Sequence, residues 1–227
     1  MKKLFLFDLD GTLLNTGGAG SRALGRAFSD LYGIENSLNG IVLDGRTDPW
    51  IIREVFRRHG KQEKNDFQQL VEKYLLLLAQ EVQSSLNFHV LPGIKQILKG
   101  LSEQADALIG LATGNIEQGA WIKLKRASLN PFFRLGGYGS DAEDRTKLIR
   151  IAVRRGEEML KQSLGKEDVY VIGDTPRDIR SGNEAQTTTV AVATGRYSIE
   201  ELCSYRPDNL FPDLSDHQSF LNKFCHF

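Results

Sequence analysis

The feature that most restricts the fold is a set of short, unbroken apolar runs: Leu4 to Phe7, Ala107 to Ala112, Val169 to Ile172 and Thr189 to Val192, with a weaker one near Leu135 to Tyr138. None of them alternates apolar with polar residues. A strand that faces water on one side alternates with a period of two, and a strand covered on both faces does not. Between the runs lie stripes at helical spacing, such as Ile94, Ile97, Leu98 and Leu101 after Gly93, and Leu148, Ile149, Ala152 and Val153 after Arg145. Doubly covered strands alternating with helices predict an α/β fold with a doubly wound, Rossmann-like parallel sheet. Ligands of such sheets bind beyond the carboxyl ends of the strands. The residues that follow each run are therefore the ones to read for chemistry.

One region breaks the alternation. From about Thr16 to Phe88 there are helical stripes and no convincing strand. Ala23, Leu24, Ala27, Phe28 and Leu31 make one face, closed by Gly33, and a later stripe runs through Phe67, Leu70, Val71, Tyr74, Leu75 and Leu78. Between them Asp48-Pro49 reads as a helix start, with Asp48 as N-cap and proline at the first helical position, followed by Ile51, Ile52, Val55 and Phe56 and closed by Gly60. The expected organisation is an α/β core of residues 1–15 and 90–227 with a small all-helical unit, residues 16–89, inserted after the first strand. Its hinges are expected near Asn15 to Gly20, where Gly17, Gly18 and Gly20 give freedom, and near His89 to Gly93.

Composition excludes some partners. Lys+Arg and Asp+Glu both number 29, a net charge of zero, which offers no electrostatic reason to expect nucleic acid or an anionic membrane. The longest apolar runs are short, such as Leu75 to Ala79, and the run at the N-terminus is cut by Asp8 and Asp10, too early for an export signal. Cys203 and Cys225 have no metal or redox spacing, and His59, His89, His217 and His226 are scattered. They are read as reduced thiols and as surface or packing residues, with a cytoplasmic location, a small-molecule partner and a monomer or homodimer as the expectation.

The first run ends in "DLDGT", Asp8 to Thr12. Two carboxylates so close repel, and keeping both ionised needs a cation. A hard divalent ion with oxygen ligands, above all Mg2+, suits them. Asp-Gly is also a common turn pair, so a turn or helix cap stands as the lesser alternative for these five residues alone. The second run ends in Thr113, Gly114 and Asn115, a hydroxyl and free amides that suit a phosphate oxygen. The third ends in "GDTPRD", bringing Asp174 and Asp178 to the same sheet edge.

"DLDGT", "ATGN" and "GDTPRD" resemble the first, second and fourth motifs of the haloacid dehalogenase-like superfamily, and the helical insert resembles its C1-type cap. The pattern is most similar to phosphoglycolate-phosphatase-like hydrolases. The resemblance implies a Mg2+-dependent phosphatase for a small phosphomonoester. Asp8 would be the nucleophile that forms an aspartyl-phosphate, and Asp10 the general acid and base. Asp8, the Asp10 backbone carbonyl, Asp174 and Asp178 would hold Mg2+. Thr113, Gly114 and Asn115 would bind the phosphoryl oxygens.

The third motif of that superfamily supplies a cation, often as Lys-Pro, which this chain lacks. "GSDAEDRTKLIRIA", Gly139 to Ala152, offers Arg145, favoured because it opens a helix, and Lys147 as runner-up. Asp10 argues against a dehalogenase, since halide leaves without a proton. The absence of lysine from Leu4 to Gly60 argues against a Schiff-base phosphonatase. A sugar phosphomutase-type phosphotransferase and a catalytically silent binding protein of the same fold stay open. Substrate choice is expected from "DGRTDPW", Asp44 to Trp50, where Arg46 could meet a carboxylate or second phosphate, with phosphoglycolate as the named substrate; pairing of Arg46 with Asp44 or Asp48 is the plainer alternative. The pairs Arg57-Arg58 and Arg154-Arg155 read as solvated helix faces.

Overall fold

The computed structural model describes residues 2–61 and 66–224. Cys225 and His226 lie outside the described residues. The chain runs β1 (Lys3–Phe7), β2 (Leu14–Asn15), α1 (Ala19–Tyr32), α2 (Asp48–Arg58), α3 (Asp66–Ser84), β3 (His89–Val90), α4 (Ile94–Ser102), β4 (Ala107–Thr113), α5 (Glu117–Ala127), β5 (Leu135–Tyr138), α6 (Arg145–Leu160), β6 (Val169–Gly173), α7 (Pro176–Glu184), β7 (Thr188–Val192), α8 (Ile199–Ser204), β8 (Asn209–Phe211) and α9 (His217–Phe224).

Leu4, Phe5, Leu6 and Phe7 are all fully buried, and they alternate between two cores. Phe5 and Phe7 pack with Ile97, Leu101 and Leu124 from α4 and α5 and with Phe220 from α9. Leu4 and Leu6 pack with Leu148, Ile149 and Ala152 from α6. Both faces of the strand are therefore apolar, which is why its sequence shows no alternation. Burying such side chains contributes roughly 1.5–3 kcal/mol each.

The sheet has six strands in the order β5-β4-β1-β6-β7-β8, and every pairing is parallel. Strand β1 lies between β4 and β6, with Phe7 opposite Leu111 on one side and Ile172 on the other. Adjacent strands run about 4.8 Å apart. Asp8, Thr113 and Asp174, each one or two residues past those paired positions, thus emerge side by side at one edge. The edge strand β8 was not foreseen, because a three-residue strand leaves no apolar run to read.

Among the described residues no strand lies between β2 and β3. Helices α1, α2 and α3 bury a cluster of their own, including Leu24, Phe28, Ile52, Phe56, Leu70, Tyr74 and Leu78. The two crossings between this helical block and the sheet pair with each other: Leu14 and Asn15 of β2 lie antiparallel to Val90 and His89 of β3. At the start of α2 the cap is displaced by one residue from the expected position. Thr47 is the N-cap, its hydroxyl accepting from the Trp50 amide, and Asp48 is already helical. Arg155 likewise departs from a solvated face, since its guanidinium donates to both carboxylate oxygens of Asp141 and to the Gly136 carbonyl. Among the described residues no helix is long and apolar enough to cross a membrane.

Gly93, at the junction into α4, has φ +79°, and a Cβ there would fall 1.5 Å from the Leu214 carbonyl oxygen. Gly93→Ala is expected to destabilise the fold by about 2–3 kcal/mol, seen as a lower urea midpoint with an unchanged slope. A midpoint equal to that of the parent protein would contradict this close approach.

Candidate active site

Three strand ends and two helix starts meet in a cavity of about 230 Å3 lined by Asp8, Asp10, Thr113, Arg145 and Asp174 from the sheet side and by Gly20, Leu24, Asp48 and Tyr74 from the helical block. Asp8 is 6% exposed at the end of β1, its amide bonded to the Ile172 carbonyl. Arg145 is the first residue of α6, held there by the cap at Asp144, whose side chain accepts from the Lys147 amide. From that position the Arg145 guanidinium is buried against Asp8 at 3.0 Å and Asp178 at 2.5 Å. Lys147, two residues on, is exposed. Of the two cations the sequence offered, the helix start directs Arg145 inward and Lys147 outward.

Asp174 follows β6 and accepts from the Thr12 hydroxyl at 2.8 Å. Asp178 sits in the first turn of α7, where its Oδ2 accepts from the Thr175 amide and hydroxyl at 3.0 and 2.6 Å while Oδ1 takes the Arg145 bond. Asp8, Asp174 and Asp178 each bring one carboxylate oxygen within 4.8 Å of the others. The donors are all hard oxygens, which fits a divalent ion such as Mg2+. The fit is best for Asp8 and Asp174. Asp178 belongs to the same cluster, but both its oxygens already have donors, so its evident work is to cap α7 and hold Arg145.

Asp10 stands apart from that cluster. Its Oδ2 accepts from Lys123 Nζ at 2.6 Å and from Asn115 Nδ2 at 2.9 Å. Asp10 is not among the carboxylates of that cluster, and its Oδ2 is already taken by these two donors. Thr113 is fully buried, and its hydroxyl accepts from the Asn115 side chain at 2.9 Å. Gly114 lies so close to the helical block that a Cβ would meet the Arg46 carbonyl at 2.2 Å. Here the block touches the sheet edge: the Asp48 amide donates to the Gly114 carbonyl at 2.8 Å, and the Ile116 amide donates to Asp48 Oδ2 at 2.9 Å. Arg46 reaches the cavity wall, but its guanidinium stacks over the Trp50 ring at 3.7 Å.

The ordered motifs now have a common geometry, and the sequence pattern described as haloacid dehalogenase-like hydrolase matches residues 5–192. The chain belongs to the haloacid dehalogenase-like hydrolase family. Within that family it is similar to a pyrophosphatase PpaX of Listeria monocytogenes serotype 4b, 24% identical over 214 residues, spanning 93% of this chain and 92% of that protein. Among solved structures it resembles CbbY from Rhodobacter sphaeroides in complex with phosphate, with TM-score 0.75, 17% identity and coverage of 95% and 96%. It also resembles a predicted phosphoglycolate phosphatase from Haemophilus somnus, with TM-score 0.70, 17% identity and coverage of 96% and 97%.

Sequence reasoning misses Lys123 and gives Asp48 and Tyr74 structural roles alone. Lys123 is 3% exposed, on the same face of α5 as buried Ala120, Leu124 and Ala127. A lysine inside an apolar stripe was the available signal. Asp48 was read as a cap, and its carboxylate instead bonds across to the sheet edge. Tyr74 was read as core; it is buried, and its hydroxyl lies close to Asp48.

Burial raises the pKa of the carboxyls gathered here. Burial pushes Asp8 up to about 6 from 3.8, with the Arg145 charge opposing and Asp178 and Asp10 assisting. Asp174 is raised by burial and by the charges of Asp8 and Asp178. Burial also lifts Asp48 to about 6, opposed by Lys123. A carboxyl with a raised folded-state pKa binds more protons folded than unfolded between the two values, so its contribution to stability falls as pH rises through that window. For Asp8 and Asp48 the window is about pH 4 to 6. The metal-free family hydrolase is expected to lose melting temperature across it, and Mg2+ is expected to flatten the loss by replacing the protons. A slope indifferent to Mg2+ in differential scanning calorimetry would count against the carboxylate cluster as a cation site.

Proposed function

We propose that this hydrolase is a phosphatase that cleaves a small phosphomonoester through a phosphorylated Asp8. The observation that carries the reading is the buried contact of Asp8 with Arg145, beside Asp174 and Thr113 at one sheet edge. The substrate phosphoryl group sits between Asp8 and the Thr113–Gly114 strand end. An Asp8 oxygen attacks phosphorus as the bond to the leaving oxygen breaks, and Asp10 supplies that oxygen with a proton. Asp10 then takes a proton from a water that attacks the phosphorus, which releases phosphate and restores Asp8. Arg145 offsets charge on both carboxylate and phosphate and can fork between their oxygens. Mg2+, when bound by Asp8, Asp174 and the Asp10 carbonyl, supplies further screening of anion against anion.

Residues 16–89 act as a cap that closes over the sheet edge and excludes bulk water. The contacts of Asp48 with Gly114 and Ile116 support this, as does the ion pair of Arg196 with Asp44 at 3.1 Å. The small cavity favours a small substrate. Phosphoglycolate is the substrate we name first, with Arg46 leaving its stack on Trp50 to meet the carboxylate. Inorganic pyrophosphate is the second reading, favoured by the curated relatives named pyrophosphatase PpaX. A panel of phosphate esters together with inorganic pyrophosphate, assayed with Mg2+ and with hexose phosphates scored for isomerised product, separates hydrolysis of either from a phosphomutase.

Asp8→Asn is expected to lower turnover of p-nitrophenyl phosphate at least about a thousandfold; equal activity would refute the nucleophile. Arg145→Ala is expected to cost about 100-fold or more in kcat/KM, with Lys147→Ala near the parent value. The reverse order would assign the cation to Lys147.

A further inference from the structure

Lys123 is a buried cation for which the mechanism above has no use. Its Nζ donates at 2.6 Å to Asp10 Oδ2 and at 2.6 Å to Asn115 Oδ1. Asn115 Nδ2 in turn donates at 2.9 Å both to the same Asp10 oxygen and to the Thr113 hydroxyl. Oδ2 of Asp10 is thus held by two donors, one from α5 and one from the end of β4. Oδ1 has no hydrogen-bond partner among the described residues.

A stabilising role accounts poorly for this arrangement. The Lys123 side chain is 4% exposed, whereas that of Asp10 is 42% exposed. Burying an ammonium is costly, and a pair with a half-exposed carboxylate returns little stability. A lone ion pair would also not need Asn115 to bond the lysine, the aspartate and Thr113 together. The network instead fixes one feature: which Asp10 oxygen stays free, and where it stands relative to Thr113.

We propose that Lys123 is a positioning residue that, with Asn115, pins Asp10 by Oδ2 and presents Oδ1 for the two proton transfers. The proposal rests on the reading of Asp10 as acid and base and deepens it. It predicts a division between steps. When Asp8 displaces p-nitrophenolate, the P–O bond breaks to leave a stable anion and no proton is needed. When Asp8 displaces an alkoxide, the leaving oxygen must take a proton from Asp10. Hydrolysis of the phosphorylated Asp8 needs Asp10 as base whatever the substrate was.

The test is stopped-flow and rapid-quench kinetics of Lys123→Met with Mg2+. With p-nitrophenyl phosphate the variant is expected to release a burst of about one nitrophenolate per site, at a rate within about threefold of the parent first turnover, while steady-state turnover falls about 100-fold. With an alkyl phosphate the first turnover itself falls by about that factor. A burst slowed as much as the steady state means a structural role and overturns the proposal, as does a variant with parent turnover on both substrates. If Lys123→Met does not fold, Lys123→Gln keeps one donor to Asp10 and is expected to show the same division at about tenfold. Failure of both variants to unfold cooperatively would also mean a structural role. A parent protein that turns over no phosphate ester overturns the function itself, and the proposal with it.

Discussion

The site depends on one electrostatic constraint: acids gathered at a buried sheet edge must be neutralised from within. Arg145 meets it by touching Asp8 and Asp178 at once. Desolvating both partners offsets much of their attraction, but breaking the contact would strand a buried charge. The geometry follows from backbone. Asp144 caps α6, so Arg145 is the first helical residue and its side chain returns toward the strand ends. Asp178 caps α7 with Thr175 and meets the guanidinium from the other side. Two helix caps therefore define where the Asp8 carboxylate can rest.

Much of this was legible in the sequence, for identifiable reasons. The central strands could be read because burial on both faces removes polar residues from them altogether, as Leu4 to Phe7 illustrate. Arg145 could be preferred to Lys147 because an inward direction is set at a helix start. What stayed hidden depends on contacts between distant segments. Asp48 has the chemistry of a cap, and only the approach of the helical block to Gly114 shows that its carboxylate serves the Ile116 amide. Lys123 stands out only as a lysine inside the apolar stripe of α5, and its partners appear only when Asp10 and Asn115 are folded against it. Asp178 fits a metal-ligand pattern, yet Thr175 and Arg145 claim its oxygens. Strand β8 is too short to leave a hydrophobic signature.

The cavity wall divides its charges by origin. The sheet side brings Asp8, Asp10, Asp174 and Arg145, and α5 adds Lys123, while the helical block brings Asp44, Arg46 and Asp48. The two sides meet through backbone at Gly114, where no side chain larger than hydrogen fits beneath the Arg46 carbonyl. Under the proposed function, recognition of the phosphoryl group and recognition of the remainder of the substrate fall to different parts of the chain.

The small ribbon of β2 and β3 has a topological consequence. Because Leu14–Asn15 and His89–Val90 run side by side, the polypeptide departs from the sheet and returns to it at nearly one point. To the parallel sheet, the intervening helices are a single long loop with closed ends. Closure entropy grows only slowly with loop length. Such an appendage can change in length without re-threading a strand of the sheet.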